Sequence, residues 1–480
     1  LFNPKNIALI GASANSSKWG YIILLNILKG NYKGTVHPIN PKEKTILGIP
    51  CYPTIDDIPG PVDAAMITTP AKVVPSLIDE CGKKGVPFVI VVTSDFSESG
   101  PEGAKLEQEV VSKAKEYGIR IVGPNTMGVF SAKSSLHALM PPVMPLHGPV
   151  SMFSQSGNVG VQMLAWGFDE GVGFEKFVSS GNEGDLNCVD YVEYFGQDDD
   201  TKVILAYLEG IAPEIEFKSS IKEVSQKKPI IIFKGGRTNV GGKAAASHSG
   251  SMAGESRVFK GALRQAGMLE VLTSQALMDC AKTFSNYPLP KSNRIGILTR
   301  GGGWGVITAD TCEENDLVVP SLSDDLIKEF DKLLPKYWSR GNPVDMVATI
   351  AKDPFLDCLE ILANWDGIDA VIALGAAERG FNYSYSDEVK EPKELIDTIH
   401  FIMEFIESRK DKRSKTLEGI RSLVDSSGKP IVMVSIGTDA SHKSYLEEYG
   451  IVSFSTPERA VRVLTQMCNY QTFLNSRELK

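Results

Sequence analysis

The segment from Lys234 to Gly254, KGGRTNVGGKAAASHSGSMAG, combines one histidine with glycine, serine and basic residues and contains no acidic residue. Glycine disfavours helices, and so polar a segment buries little apolar surface, so we expect an irregular loop around His248. Neutral imidazole attacks phosphorus near pH 7, and its phosphorylated form remains a phosphoryl donor. Because about ten extended residues reach ~35 Å, we predict that His248 is a nucleophile on a loop that swings between two sites.

The apolar run KVILAYL ends at Glu209, which places this carboxylate at the carboxyl end of a predicted buried strand. Parallel α/β sheets collect their ligands at this edge. A carboxylate bonded to an imidazole fixes its tautomer and stabilises the cation that phosphorylation creates. We therefore predict that Glu209 is the partner of His248, with a merely solvated glutamate as the alternative.

The N-terminal stretch IALIGASANSSKWG places Gly11 and Ser13 at a strand-to-helix turn, where free N–H groups let a phosphate approach. The next strand ends in HPINPK, so Asn40 and Lys42 stand where a dinucleotide-binding fold requires an acidic residue. A cation there fits a nucleotide with an extra ribose phosphate, as in coenzyme A (CoA), and argues against a nicotinamide dehydrogenase. A turn without any ligand is the alternative.

Two further turns, FSQSGNVG and SSGNEGD, are rich in serine, glycine and asparagine. Three turns of this type in one chain favour a site for several phosphate groups. The residues predicted to surround phosphate are Gln155, Ser156, Gly157 and Asn158 in the first of these turns and Gly181, Asn182 and Glu183 in the second. The alternative is that the serine and asparagine side chains simply cap helices.

Apolar strand-like runs alternate with helix-compatible segments along the whole chain, which predicts parallel α/β sheets. We expect three domains, over residues 1–130, 145–288 and 291–470. Turn-forming residues and prolines from Lys133 to Gly148 indicate a linker, and the charged stretch from Glu388 to Arg421 indicates a solvated helical excursion.

Composition narrows the class of protein. The 480 residues carry a net charge of -9, which disfavours nucleic acid or an anionic membrane as the main partner. The seven cysteines are scattered singly, so we expect neither a disulfide framework nor a metal site, and a reducing, cytoplasmic location. The longest apolar runs are far shorter than the roughly 20 residues that span a bilayer.

Eight motifs in order, IALIGAS…KWG, INPK, IVGPN…GV, SQSG, YLEGI, FKGGR, SHSGSMAG and NPVDM, resemble the α subunit of NDP-forming acyl-CoA synthetases. This superfamily includes succinyl-CoA synthetase and the ADP-forming acetyl-CoA synthetases. The resemblance covers nearly the whole chain. It implies a Rossmann-like CoA-binding domain followed by two flavodoxin-like domains, and a reversible conversion of acyl-CoA, ADP and phosphate to acid, CoA and ATP through an acyl phosphate and a phosphohistidine.

Carried over residue by residue, the resemblance makes His248 the phosphorylated nucleophile and Glu209 its partner. It places CoA at Gly11, Ser13, Lys18, Asn40, Lys42, Thr69, Pro70 and Asn125. The sequence shows no ATP-grasp extension, so the resemblance implies a separate ATP-grasp β subunit that holds ADP or ATP with Mg²⁺. A small organic acid as substrate and an α₂β₂ or larger assembly are implied as well.

Some positions depart from the usual pattern of the family. Thr126 stands where cysteine is common, Trp304 where proline usually follows the glycines, and Glu183 with Gly184 where the family more often has a basic residue followed by alanine. These changes leave the histidine step intact and suggest an altered acid pocket. Two other readings stay open: a CoA-binding lyase or acyltransferase relative, and a CoA-sensing scaffold without turnover.

Overall fold

The computed structural model describes residues 1–210, 219–249, 256–347, 353–375, 410–436 and 446–478. Within these ranges only the backbone is described for residues 245–249, 256–258, 410–413 and 477–478. The chain divides into two compact units, Leu1–Ala281 and Lys282–Lys480.

The first unit opens with a five-stranded parallel sheet. Its strands are β1 (Asn6–Ile10), β2 (Thr35–Ile39), β5 (Ala64–Ile67), β6 (Phe88–Val91) and β7 (Arg120–Val122), in the order β2-β1-β5-β6-β7. The short strands β3 (Thr45–Ile46) and β4 (Ile49–Pro50) form a separate hairpin. The helices are α1 (Trp19–Lys29), α2 (Val74–Lys83) and α3 (Pro101–Glu116), with 3₁₀ turns at Ala71–Val73 and Ser97–Ser99.

Strand β1 shows why these residues form a central strand. Ile7 and Leu9 point into one apolar cluster, whereas Ala8 and Ile10 point into a second cluster on the opposite face of the sheet. A strand buried on both faces reads as a continuous apolar run, as parallel sheets covered by helices require. The first cluster also contains side chains of the following sheet, such as Phe153 and Val178, so the two sheets share a core.

The second sheet has seven strands and completes the first unit. The strands are β8 (Gly128–Ser131), β9 (Leu136–Leu139), β10 (His147–Ser154), β11 (Phe174–Ser179), β12 (Val203–Leu208), β13 (Ile230–Lys234) and β14 (Leu269–Val271), in the order β14-β13-β12-β10-β11-β8-β9. The helices are α4 (Gly157–Glu170), α5 (Cys188–Gln197), α6 (Ser219–Ser225), α7 (Asn239–Ser249), α8 (Ser256–Ala266) and α9 (Ser274–Asn286), the last of which contains the boundary between the units.

Two segments of the first unit differ from the sequence predictions. The predicted linker contains β9, which pairs antiparallel with β8 as β8 pairs with β11, so part of the linker belongs to the second sheet. The glycine-rich segment is helical over Asn239–Ser249 despite Gly241 and Gly242. The Thr238 hydroxyl accepts a hydrogen bond from the N–H of Gly241 (3.0 Å), so this helix has a polar start of the kind that capping residues provide. Residues 250–255 lie outside the described residues.

The second unit holds a five-stranded parallel sheet. Its strands are β15 (Ile295–Thr299), β16 (Val344–Asp345), β17 (Ala370–Leu374), β18 (Ile431–Val434) and β19 (Ser453–Phe454), in the order β16-β15-β17-β18-β19. The helices are α10 (Gly302–Glu314), α11 (Asp324–Leu333), α12 (Phe355–Asn364), α13 (Lys410–Ser427) and α14 (Pro457–Glu478).

Only the end of the predicted charged excursion is described, as the start of α13, and residues 388–409 lie outside the described residues. Helix α13 is not fully solvated, because Leu417 and Ile420 are buried and Gly419 approaches Leu356 of α12. The prediction of a solvated helix is therefore wrong for this part of the segment.

The parallel strands of all three sheets follow the same doubly wound order, 2-1-3-4-5 within each sheet, which confirms the predicted α/β class with parallel sheets. In this order the crevice that accepts ligands lies between the first and third strands, at their carboxyl ends. The structure thus defines the positions where ligands are expected: after β1 and β5, after β10 and β12, and after β15 and β17. Among the described residues, none of the helices has the length and apolar character needed to cross a membrane.

Candidate active site at two sheet edges

The turn after β1 brings its backbone close to the end of β5. Gly11 has φ +89°, and a Cβ there would lie 2.6 Å from Thr68 Oγ1, so glycine is required. Helix α1 approaches the same turn, because a Cβ at Gly20 would lie 2.2 Å from the carbonyl oxygen of Gly11. The result is a tight backbone cradle at the predicted crevice of the first sheet.

The end of β2 closes one side of this cradle. Asn40 donates from Nδ2 to the carbonyl of Ala12 (2.7 Å) and accepts from the N–H of Lys42 (2.9 Å), which ties the two turns together. Lys42 and Lys18 are exposed, and Ser13 accepts from the N–H of Asn15 (3.1 Å). Helix α1 starts after Lys18 without a side-chain cap or an acidic residue in its first turn. These cationic and N–H groups fit the phosphates of CoA.

The ends of β5, β6 and β7 form the other side. The Thr93 hydroxyl donates to the carbonyl of Thr69 (2.6 Å), and the N–H of Asn125 donates to the carbonyl of Thr93 (2.9 Å). Pro70 is exposed at the start of the 3₁₀ turn Ala71–Val73. Within the described part of the chain, Thr69 Oγ1 is buried without a hydrogen-bond partner. A polar group of a bound ligand would supply the missing partner. The structure thus brings all the predicted CoA residues to one sheet edge.

In the second sheet, the turn after β12 carries Glu209, which is 8% exposed. Its Oε1 lies 3.5 Å from the hydroxyl of Tyr207. Gln155, directly after β10, accepts at Oε1 from the N–H groups of Glu209 (2.6 Å) and Gly210 (3.1 Å) and donates from Nε2 to the carbonyl of Gly210 (2.8 Å). From the other side, Lys234 at the end of β13 donates from Nζ to the carbonyls of Glu209 and Gly235.

The turn Ser156–Asn158 leads into helix α4. Ser156 is the residue before the helix, and its side chain makes no capping hydrogen bond. The first turn of α4 contains no acidic residue, and Asn158 is exposed. A Cβ at Gly157 would lie 2.3 Å from Cγ of Met127, so the turn is closely covered on one side. Because helix N-termini leave N–H groups without intrahelical partners, this turn suits an anion.

The turn Gly181–Glu183 differs from the previous one, because its polar groups are hydrogen-bonded to other parts of the protein. The N–H of Asn182 donates to the carbonyl of Pro124 (3.0 Å), and that of Glu183 lies 3.4 Å from the carbonyl of Ser180. The Asn182 Nδ2 donates to Ser97 Oγ (3.0 Å), Glu98 Oε2 (2.6 Å) and Glu107 Oε2 (2.9 Å), all from the first sheet's connections. The structure gives these groups protein partners, so the turn joins the two sheets instead of presenting free donors to phosphate.

Glu183 carries an unusual carboxyl group. Its backbone has φ +56°, and its Oε1 accepts from the Ser180 hydroxyl (2.8 Å). Burial raises the pKa of this carboxyl to about 7, while hydrogen bonds from Ser180 and the Gln155 amide partly offset that rise. Glu183 therefore lies against Gln155, and through it next to the Glu209 turn.

The backbone of His248 belongs to α7, whereas its side chain lies outside the described residues. Helix α7 contacts the 3₁₀ turn Ser97–Ser99, which also contacts Asn182. Sequence reasoning missed Lys234, although FKGGR marks a lysine at a strand end. It also left Thr126 unexplained: this buried hydroxyl accepts from the N–H of Gly128 (3.0 Å) and donates to the carbonyl of Ser179, so it fixes the connection between the sheets.

Comparisons with known proteins agree with this arrangement. Residues 5–132 match the CoA binding domain, residues 147–284 the succinyl-CoA ligase like flavodoxin domain, and residues 295–362 the ligase-CoA domain. The α subunit of acetate–CoA ligase [ADP-forming] I from Pyrococcus furiosus is 36% identical over 97% of this chain and 96% of its own length. Acetate–CoA ligase [ADP-forming] I from Archaeoglobus fulgidus is 39% identical over 78% of this chain, but the match spans 54% of that relative.

A solved structure shows the same fold. The dinucleotide forming acetyl-coenzyme A synthetase 1 of Ca. Korarchaeum cryptofilum, in complex with phosphate and ADP, superimposes with a TM-score of 0.85 at 34% identity, covering 99% of this chain and 97% of that one. The matched domains and these relatives define an acid–thiol ligase. The chain belongs to the NDP-forming acyl-CoA synthetases, with the ADP-forming acetate–CoA ligases among its relatives.

Proposed function

We propose that the chain is the α subunit of an ADP-forming acid–CoA ligase that works through a phosphohistidine at His248. The observation that carries this proposal is the crevice of the second sheet, where the buried Glu209 turn after β12 neighbours the uncapped N-terminus of α4 after β10. A carboxylate beside a phosphate-binding helix end suits a cationic phosphoimidazole, because each group stabilises one part of it. The family supports the same reading.

The proposed reaction has three reversible steps. A phosphate oxygen attacks the thioester carbonyl of acyl-CoA, the C–S bond breaks, and acyl phosphate and free CoA form. An imidazole nitrogen of His248 then attacks the phosphorus, and the P–O bond to the acyl group breaks to release the carboxylate of the acid. Finally an oxygen of the ADP β-phosphate attacks the phosphorus and the P–N bond breaks, which gives ATP and restores His248.

Groups from both edges would serve these steps. We propose that Gly11, Ser13, Lys18, Asn40 and Lys42 hold CoA at the first sheet. Thr69, Pro70 and Asn125 would line the part of the pocket nearer the second sheet. Ser156, Gly157 and Asn158 would present the N–H groups of α4 to phosphate. Glu209 would accept a hydrogen bond from the imidazole and stabilise its charged form.

The nucleotide step requires a partner in this proposal. The relative named as the α subunit of acetate–CoA ligase [ADP-forming] I matches this chain over 96% of its own length, whereas the relative from Archaeoglobus fulgidus, which is not named as a subunit, is matched over 54% of its length. We propose an ATP-grasp β subunit that binds ADP or ATP, in an α₂β₂ or larger assembly. Mg²⁺ held there with the nucleotide would neutralise charge on the transferred phosphoryl group.

The names of the relatives point to a small organic acid such as acetate as substrate. We also propose a cytoplasmic location, because all seven cysteines are free thiols, as is usual in a reducing compartment. The three domains of the proposal remain those of the sequence prediction, residues 1–130, 145–288 and 291–470.

The test is direct phosphorylation. The chain and its β subunit are incubated with γ-labelled ATP, and acid-labile, base-stable label is located by mass spectrometry. We expect label on His248 that is transferred to added ADP, or that is released as inorganic phosphate while acyl-CoA forms when an acid and CoA are added. His248→Ala should abolish the label, while His147→Ala, which changes an exposed histidine, should not. Absence of label in the wild type, or equal label in His248→Ala, would favour the lyase or scaffold readings.

A further inference from the structure

We propose that Gln155 and Lys234 are positioning residues that hold the Glu209 carboxylate in place for the phosphohistidine, and that the Gln155 side chain is not a phosphate ligand. This inference rests on the proposed function, because it concerns the residue that is proposed to stabilise the imidazole. It deepens that proposal by assigning the geometry of Glu209 to two side chains from neighbouring strands.

The strand order explains how this arrangement arises. Strand β12 lies between β13 and β10, and both neighbours are parallel to it. The register aligns Ser154 of β10 with Tyr207 and Lys234 of β13 with Leu208. One long polar side chain therefore reaches the turn after β12 from each side. The same edge is the crevice where the strand order reverses.

Most of the hydrogen-bonding capacity of Gln155 is used by protein groups. A carboxamide has two acceptor positions on its oxygen and two N–H donors. Its oxygen accepts from the N–H groups of Glu209 and Gly210, and its nitrogen donates to the carbonyl of Gly210. The Gln155 amide also lowers the pKa of the Glu183 carboxyl, so its side chain lies beside that group. Three of its four hydrogen-bonding positions are therefore committed to the Glu209–Gly210 main chain, which indicates a positioning role and not phosphate binding.

Lys234 holds the same turn from the opposite side. Its side chain is buried, its Nζ donates to the carbonyls of Glu209 and Gly235, and the ammonium lies 5.4 Å from the centre of the Phe259 ring. Burying an ammonium is costly unless it is hydrogen-bonded. Burial lowers the pKa of Lys234, whereas the nearby Glu209 carboxylate raises it, so the two charges attract each other. The lysine thus restrains the turn through its main chain.

These contacts fix the main chain on both sides of the Glu209 side chain. Gln155 holds the N–H of residue 209 and both polar groups of residue 210, and Lys234 holds the carbonyl of residue 209. Because its backbone is restrained, the Glu209 side chain leaves the main chain in a fixed direction, and its carboxylate lies next to the Tyr207 hydroxyl. Misplacement by about 1 Å is enough to cost roughly 100-fold in rate. Loss of either side chain should therefore slow phosphoryl transfer without weakening phosphate binding.

The experiment measures phosphoryl transfer to His248 in the complex of the chain with its β subunit, using γ-labelled ATP, and the KM for inorganic phosphate in the acyl-CoA to ATP direction. We expect Gln155→Met to slow labelling about 10- to 100-fold and to leave the KM for phosphate within about 3-fold. Gln155→Glu keeps the acceptor for the two N–H groups, so it should be faster than Gln155→Met.

A phosphate ligand would behave in the opposite way. Gln155→Met would then raise the KM for phosphate, and Gln155→Glu would be worse still because its charge repels the anion. Either result would overturn the assignment of Gln155.

Lys228 offers a matched control for Lys234. It also donates from Nζ to two carbonyls, those of Phe195 and Asp198, but it stands just before β13, at the other end of the strand. We expect Lys234→Met to slow labelling about 10- to 100-fold, whereas Lys228→Met affects stability alone. Equal labelling rates in the two variants would overturn the role of Lys234. Lys234→Arg retains charge and donors, so it should be faster than Lys234→Met and serves as the readout if the methionine variant does not fold.

The two levels of the proposal remain distinguishable. Label on wild-type His248 with unchanged rates in Gln155→Met and Lys234→Met overturns the positioning role but not the proposed function. Absence of label on the wild type overturns both.

Discussion

The turns Ser156–Asn158 and Gly181–Gly184 both contain glycine and asparagine and both follow central strands of the second sheet, yet the structure uses them in opposite ways. The first opens onto helix α4, which has neither a side-chain cap nor an acidic residue in its first turn. The second is taken up by the connections of the first sheet, through main-chain contacts to Pro124 and side-chain contacts to Glu98 and Glu107. One turn is therefore available to a ligand, and the other links the two sheets.

The amino-acid composition of a turn therefore does not distinguish an anion-binding turn from a structural one. Both types need glycine where backbones approach closely, and both place asparagine where it can hydrogen-bond. What separates them is the partner of each N–H group. In the linking turn these partners come from residues that are distant in sequence, for example Asn182 and Glu98, which are 84 positions apart.

The largest effect is expected from Gly181→Ala. Gly181 has φ +61°, and a Cβ there would lie 2.2 Å from the carbonyl oxygen of Pro124 and 2.7 Å from that of Asn125. A left-handed alanine costs about 1–2 kcal/mol, and overlap with two rigid carbonyls adds about 1–3 kcal/mol. We expect the free energy of unfolding of the first unit to fall by about 3 kcal/mol, measured by hydrogen exchange of β7 and β11 during a urea titration.

Gly118→Ala is the control for this prediction. Gly118 has a similar φ of +69°, but nothing lies within 4 Å of its added Cβ, so it should lose only about 1–2 kcal/mol. Equal losses in the two variants would show that the turn after β11 does not bear on the first sheet.

Asn182→Asp should come next in size. The substitution removes the donors to Glu98 and Glu107 and places a third carboxylate beside them. Loss of charge-assisted hydrogen bonds together with repulsion should cost about 2 kcal/mol. Asn182→Ala removes the donors without the added charge, so the same unfolding measurement should give a smaller loss. If the aspartate variant were as stable as the wild type, the turn would not hold the sheets together.

The sequence was enough to predict the parallel sheets, because they depend on local apolar runs such as residues 7–10, and the sheet edges where ligands are expected follow from the rule that parallel strands expose their carboxyl ends together. It was not enough for contacts that tertiary structure creates. Helix α7 forms despite its glycines, and the Thr238 hydroxyl accepts a hydrogen bond from its first turn. Strand β9 exists because β8 offers it an edge, and Lys234 reaches Glu209 only when β13 lies beside β12.

Asn158→Asp tests the open turn in the same way that Asn182→Asp tests the linking turn. Asn158 is exposed in the first turn of α4, and a carboxylate there would occupy the positive end of the helix dipole. We expect the KM for inorganic phosphate to rise about 10-fold, equivalent to ~1.4 kcal/mol, while the free energy of unfolding stays within about 0.5 kcal/mol. Asn158→Ser, which adds no charge, is the control. An unchanged KM in the aspartate variant would remove α4 from the phosphate site.

The smallest effect is expected from Glu183→Gln, which should change how the free energy of unfolding depends on pH. Burial raises the pKa of this carboxyl to about 7 from an ordinary value of 4.5, so between these values the folded protein binds more protons than the unfolded chain. Stability must then fall as pH rises from about 4.5 to 7. Because the side chain is partly exposed, we expect Glu183→Gln to gain only about 1 kcal/mol at pH 7.5 relative to the wild type and nothing at pH 4.5.

Urea titrations of both proteins at these two pH values measure this difference directly. Glu107→Gln is the control, since that carboxylate accepts from Ser97 and Asn182 and should lose stability on the same change at pH 7.5. A loss of stability in Glu183→Gln at pH 7.5 would mean that the carboxyl acts there as an ionised acceptor. The raised pKa of this carboxyl would then be ruled out.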